Sequence, residues 1–145
     1  MSPVIAEPMP SPHLMLSTRL VYELGDPHST LRATTDRSGA AVLINAGGEI
    51  DASNEHTWRE QVSEAASVVI PPGPFVVDVT GIDFMGCCAY AVLADEARGC
   101  KDRGIELRLV CCDPIVRRVI DACGLNHLLP IYPTADDALV TSARW

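Results

Sequence analysis

The spacing of apolar residues along the chain switches repeatedly between a period near two and one near three and a half, and each switch marks a new element. The stretch 40-AAVLINAGGEID-51 is almost continuously apolar, which predicts a buried strand that breaks at Gly47–Gly48. Asp51 and Asn54 then supply side chains suited to capping a helix. Trp58, Val62, Ala65, Ala66 and Val69 follow at helical spacing, so an amphipathic helix is predicted over 55–68, ended by Pro71, Pro72 and Pro74. The β-branched run 75-FVVDV-79 predicts a short strand buried on both faces. Beyond it, Ala89, Leu93, Ala97 and Cys100 share one helical stripe, closed by Arg103 and Gly104. The segment 105-IELRLVC-111 alternates apolar with polar, a strand of period two. Asp113 can cap a helix whose first residue is Pro114, the helical position that proline tolerates best. Ile115, Val116, Val119, Ile120 and Cys123 make that helix's predicted apolar face, with Gly124 as terminator. A last strand is predicted in 128-LLPIY-132, and Thr134, with Asp137 three residues on, opens a final helix through Leu139.

The amino-terminal part is less regular. Residues 1–16, MSPVIAEPMPSPHLML, carry four prolines and little periodicity, which predicts a flexible tail followed by one domain over 17–145. Arg19 to Glu23 alternates as a first edge strand would. The segment 25-GDPHSTLRATTDRSG-39 is polar and turn-rich, with a further strand within 30-TLRAT-34 as an alternative. Strands that alternate with helices imply an α/β domain with a largely parallel sheet and right-handed crossovers. Ligands and partners meet such sheets at the carboxyl ends of the strands. Both vicinal cysteine pairs fall on that rim, Cys87–Cys88 after 75-FVVDVTGIDF-84 and Cys111–Cys112 after the following strand.

Composition narrows the function classes. The 145 residues are 48% apolar, enough for one ordinary core, and eleven basic residues against nineteen acidic ones leave a net charge of -8. That sign opposes a phosphate backbone and argues against a nucleic-acid partner. The apolar runs are far shorter than a membrane span and the start has no signal-peptide pattern, so no membrane association and a cytoplasmic location are expected. Six cysteines in a chain with this much core do not suggest a disulfide framework. Neither vicinal pair has the C-x₂-C spacing that wraps a tetrahedral ion, so no metal or other cofactor is expected. For any single cysteine, a reduced thiol used for packing is the ordinary reading.

Three segments, 48-GEID-51, 78-DVTGIDFMGCCAYAVL-93 and 105-IELRLVCCDPIVRRVIDACGL-125, together resemble the STAS domain of bacterial anti-sigma-factor antagonists. The likeness runs from about Leu31 to Leu139. It implies the STAS fold, an α/β architecture with a mixed, mostly parallel sheet of four to six strands and about four helices. It also implies a non-enzymatic module that binds an anti-sigma factor, usually a kinase-like ATP-binding protein, and so frees the sigma factor held there. In many members the partner phosphorylates a serine at a helix entry, in a pattern like M-D-S-S/T-G-L. Here that entry reads Met85, Gly86, Cys87, Cys88, Ala89, Tyr90, so Cys87 falls on the phosphoacceptor position and Gly86 on the acidic one. No serine or threonine lies between Gly81 and Tyr90, and a member outside the usual phosphorylation switch is expected. The resemblance places the partner surface on the loop after Gly48–Asp51, on the Met85–Cys88 turn and on the exposed face of the next helix. Asp51, Asn54, Asp83, Met85, Gly86, Cys87, Cys88 and Tyr90 are its candidate residues. Asp51 and Asn54 also read as helix caps, Asp83 as an ordinary loop acid and Tyr90 as a half-buried ring.

Sulfur offers a different switch. A helix amino terminus stabilises a thiolate, making Cys87 a candidate reactive thiol. Cys87 or Cys88 would approach Cys111 or Cys112 if their strands are neighbours, and Cys123 is a more distant resolving candidate; Cys100 reads as packing. Against this, Cys88, Cys112 and Cys123 occupy positions that also fit burial. A thiol enzyme using Cys87 as nucleophile, such as a peroxide reductase, is a competing class. It needs an activating base, and His13, His28, His56 and His127 lie on no evident path to Cys87. A small-ligand or nucleotide-sensing STAS module is the third reading, but 47-GGEID-51 is too short and too acidic for a phosphate loop.

Overall fold

The computed structural model describes residues 31–140; the expected tail and the expected strand at 19–23 lie outside them. Two strands open the fold, β1 (Leu31–Ser38) and β2 (Ala41–Ile50), paired antiparallel with Ser38 opposite Ala41. Their two-residue turn needs a left-handed residue, and Gly39 supplies it at φ 63. The polar segment read as turn-rich is thus strand from Leu31 on. Among the described residues it pairs with a strand on one side only, and it buries mainly Leu31 and Thr35, so its polar positions are compatible with a strand.

Then follow α1 (Glu55–Ala66), β3 (Phe75–Met85), α2 (Cys87–Asp102), β4 (Leu107–Val110), α3 (Pro114–Ala122), β5 (Ile131–Tyr132) and α4 (Ala135–Leu139). The sheet order follows the chain, β1 to β5, with every pair after the first parallel. A sheet that always steps the same way, with crossovers of one hand, puts all its crossover helices on one face. Accordingly α1, α2 and α3 share one core, where Trp58, Val62, Leu93 and Ile120 lie over Ile44, Phe75, Val77 and Leu109. The last helix makes no crossover, and α4 covers the other face at Val76, Val110 and Ala138.

Under this second layer the alternation of 105–111 does not mark an exposed face: all four residues of β4 are buried, Arg108 included. The Arg108 guanidinium donates to the carbonyls of Ala138 (2.7 Å) and Val140 (2.8 Å) and to Glu106 Oε1 (2.7 Å), and stacks 5.6 Å from the Tyr132 ring centre. Arg108→Ala is expected to lower unfolding free energy by about 3 kcal/mol in a urea titration, because two carbonyls lose a charged donor. The Glu106 pair, exposed on the acid's side, adds little.

Two strands depart from expectation in a way that builds the site. β2 runs through Gly47–Gly48 instead of breaking; Gly48 sits at φ 95, and the register against β3 shifts on both sides of the pair. Opposite them, a Cβ on Gly81 would come 3.1 Å from the Ala46 carbonyl oxygen, so the close approach of β2 and β3 needs a glycine there. β3 is eleven residues long, well past the predicted Val79. Gly81 and Asp83 dilute the strand signal of 80–85, but pairing of Ile82 with Gly48 and of Met85 with Ile50 imposes an extended backbone. The last rung between β3 and β4 joins Asp78 to Val110, so residues 79–85 project beyond β4 as an overhang.

The remaining differences are smaller. α3 rests on a narrow stripe of Val116 and Ile120 with Val119 beside it, leaving Ile115 61% exposed and Cys123 exposed, contrary to the wider face predicted. Asp113 Oδ1 accepts from the Ile115 N–H (2.9 Å) and Thr134 Oγ1 from the Asp137 N–H (3.1 Å), as the capping reading required. The strand expected over 128–132 shrinks to two residues.

Candidate functional site

The entry of α2 is tied to the end of β2. The Gly86 N–H donates to the Ile50 carbonyl at 2.8 Å, which brings the loop after Ile50 against the Met85–Cys88 turn. Asp51 and Asn54 shape that loop rather than cap α1. Asp51 Oδ1 accepts from the Ser53 hydroxyl (2.5 Å) and N–H (2.9 Å). Asn54 Oδ1 accepts from the Asp51 N–H (3.0 Å), and its Nδ2 donates to the Glu49 carbonyl (2.9 Å). Asn54 stands at the N-cap but makes no capping side-chain bond, which corrects the capping expectation for both residues. The hydroxyl bond, then the N–H bond from Ser53, holds the Asp51 carboxyl below the usual carboxylate range.

The turn itself is open. Cys87 and Asp83 are exposed, while Met85, Gly86 and Cys88 are half-buried. Gly86 is the N-cap of α2 without a side-chain cap, and the first turn carries no acid, so backbone N–H groups face the rim beside the Cys87 thiol. Tyr90 differs from expectation. At 5% exposure it is no surface contact; its ring forms the floor of a cleft of about 460 Å³ with Val79, Ile82, Phe84, Ile115 and Val116. Burial first, then nearby Cys111, Asp113, Cys87 and Cys123, push its hydroxyl up to about 12. The cleft escaped sequence reasoning because it arises only where the β3 overhang faces α3. Phe84 (54% exposed) and Ile115 are its flanks, and a large apolar residue on a polar stretch was the one available signal.

All six cysteines are free thiols. Cys100 is wholly buried, its thiol pushed up to about 11 chiefly by burial, in keeping with packing. Cys111 is also buried and pushed up, mainly by the same desolvation, and its Sγ accepts from the Asp113 N–H at 3.2 Å. Cys112, whose Sγ donates to the Pro133 carbonyl at 3.3 Å, and Cys123 are exposed, and Cys88 is half-buried, so the burial alternative fails for two of the three. β3 and β4 are indeed neighbours, but Cys111 sits at the root of the overhang and Cys87 beyond its tip. The exposed thiols Cys87, Cys112 and Cys123 are expected to react with iodoacetamide at pH 8 well before Cys100 and Cys111, as peptide mass spectrometry would read directly.

Among the described residues no histidine lines the cleft. His56 is exposed on α1 and pairs with Glu60 (3.0 Å), and His127 lines another cavity beside Lys101 and Leu128; His13 and His28 lie outside the described residues. Among the described residues no three acidic, histidine or cysteine side chains gather as a metal-binding group, and no helix is long and apolar enough to cross a membrane. The arrangement is a reachable, sulfur-bearing surface with no histidine beside it among the described residues.

Comparison with known proteins agrees with the architecture. The STAS domain family model matches residues 32–138. A Mycobacterium tuberculosis protein named as a candidate anti-anti-sigma factor, Rv2638, is 67% identical over 136 residues, covering 94% of this chain and 91% of its own length. The anti-sigma-F factor antagonist RsfA of M. tuberculosis is 51% identical over 111 residues, covering 77% of this chain and 87% of its own. The crystal structure of an anti-sigma factor antagonist from Mycobacterium paratuberculosis superposes with a TM-score of 0.68 at 25% identity, covering 78% of this chain and 93% of that one. By family model, relatives and fold together, the chain belongs to the STAS domain family, and its relatives are anti-sigma factor antagonists.

Proposed function

We propose that the protein is itself an anti-sigma factor antagonist, a binding module without turnover that docks an anti-sigma factor on the α2 rim and so frees a sigma factor. The observation that carries this reading is the open Met85–Cys88 turn, locked by Gly86 against the loop of Asp51 and Asn54, where the family resemblance puts the partner surface. Asp83, at the overhang, and the exposed flank of α2 complete the contact; Tyr90 supports it from below. RsfA is named for antagonism of an anti-sigma-F factor, so a kinase-like, ATP-binding factor of that class is the first partner to test. A partner that controls transcription implies a cytoplasmic location.

Cys87 stands in place of the phosphoacceptor serine, and a thiol is not the group a serine kinase uses. Nothing steric prevents restoring the usual pattern: a Cβ on Gly86 would lie 3.4 Å from the Ile50 carbonyl oxygen, an ordinary contact. The double variant Gly86→Asp, Cys87→Ser is expected to accept one phosphate from an ATP-loaded anti-sigma factor, and the parent chain none, by intact-mass measurement.

In place of phosphate, the reading assigns control to the thiols Cys87, Cys88, Cys111, Cys112 and Cys123. Two of them would give up two electrons and two protons to a peroxide or disulfide oxidant and form one disulfide that reshapes the rim. That Cys87, Cys112 and Cys123 are exposed free thiols supports the idea. Calorimetric titration of an anti-sigma-F factor with the reduced and the oxidised chain tests both parts. Tight binding by the reduced chain and weaker binding after oxidation is expected. Equal affinity would remove the redox control and leave the docking; no binding by the reduced chain would remove the docking.

A further inference from the structure

The cleft beneath the overhang is built unlike a surface groove that merely awaits a protein. It is framed on one side by residues 79–85 of β3, on the other by Ile115, Val116 and Val119 of α3, and floored by Tyr90. At about 460 Å³ it falls within the size range of small-molecule sites. Its lining is mostly aliphatic and aromatic, and its floor carries one phenolic hydroxyl, that of Tyr90. Tyr90 is more than nine-tenths buried, and among the described residues its hydroxyl has no hydrogen-bond partner. The hydroxyl still meets water at the cleft, so a ligand group that bonds it takes the place of solvent at a fixed point of the floor.

Charge selects further. Among the described residues, the ionisable carboxylates lining the cleft are Asp83 and Asp113, and no lysine, arginine or histidine lines it. Asp113 spends one oxygen on the α3 cap, and among the described residues Asp83 has no basic partner. Arg117 lines an adjoining cavity, which shares Cys111, Cys112 and Asp113 with the cleft. With a net charge of -8 on the chain, the field at this opening repels anions.

We propose that the cleft between the β3 overhang and α3 binds a small, compact apolar molecule that is neutral or cationic, with its one polar group on the Tyr90 hydroxyl. Nucleotides, sugar phosphates and fatty acids are excluded by the same two carboxylates. Met85 belongs both to this cleft and to the turn at the α2 entry, so an occupant touches the rim from behind. The site does not depend on the anti-sigma-factor reading, and its test needs no partner protein.

Three probes with one ring system separate the terms: tryptamine (cation), indole (neutral) and indole-3-propionate (anion), titrated into the full-length protein and followed through the methyl signals of Val79, Ile82, Ile115 and Val116. Shifts are expected for tryptamine and indole at those methyls, and tryptamine is expected to bind about five-fold more tightly than the propionate, the scale of a partly exposed ion pair. Tyr90→Phe, which keeps the ring and removes only the oxygen, is expected to weaken indole binding about five-fold. Val119→Phe, which narrows the cleft, is expected to abolish the shifts; should that variant misfold, Tyr90→Phe alone decides. The proposal is overturned if none of the three probes moves those methyls, if the propionate binds as tightly as tryptamine, or if Tyr90→Phe leaves indole affinity unchanged.

Discussion

Trp58→Ala is expected to lower the unfolding free energy by about 4 kcal/mol, the scale found when a large aromatic is cut from a packed core. Trp58 is fully buried on α1, and its indole N–H donates to the Ala89 carbonyl at 3.4 Å. The substitution therefore empties the centre of the helical layer and also cuts the link from α1 to the first turn of α2. Natural domains are stable by only about 5–15 kcal/mol, so the variant would stand near the edge of unfolding at 37 °C. Urea titration should show a lower midpoint with an unchanged slope. Trp58→Phe, which keeps a ring and loses the N–H, is expected to recover more than half of the loss. If alanine at 58 costs under about 1 kcal/mol, the α1–α2 layer does not hold the α2 entry in the way described here.

Cys87→Asp separates docking from folding. An acid at the first position of a helix is favoured by the macrodipole, so the variant is expected to be as stable as the parent or up to about 1 kcal/mol more so. The same carboxylate would be stripped of water when a partner closes over the rim. A penalty of 2 kcal/mol or more is expected, which is about 30-fold in Kd for an anti-sigma factor. Cys87→Ser, close in size and uncharged, is expected to bind within about three-fold of the parent. Calorimetry on the three proteins reads the result. Affinity unchanged by the aspartate would mean that position 87 lies outside the contact.

Local chemistry made much of this architecture legible. The stripe of Ala89, Leu93, Ala97 and Cys100 is the buried face of α2, Asp113 and Pro114 open α3, and Gly124 takes the left-handed backbone (φ 69) that follows it. Each of these depends on residues a few positions apart, so a linear reading finds them. The same holds for the likeness over 78–93, which the family match over 32–138 bears out.

The structure goes beyond the linear reading where distant segments decide. The polar 31–38 becomes strand because β2 offers it a ladder, and 80–85 becomes strand because β2 extends beside it. Arg108 is buried because α4 folds over the far face, a fact that no alternation within 105–111 can carry. Tyr90 is a floor rather than a surface because α3, about 25 residues later, stands over it.

By itself, then, the amino-acid sequence determined the order of elements, the caps at Asp113 and Thr134 and the sulfur at the head of α2, since these follow from backbone preferences and side-chain periods within one or two turns. Only the tertiary structure decided which cysteines meet solvent, that Asp51 and Asn54 lace a loop, and that an overhanging strand and α3 enclose a cleft. Burial and enclosure belong to pairs of surfaces, and which surfaces meet is settled by the register and direction of strands far apart in the chain.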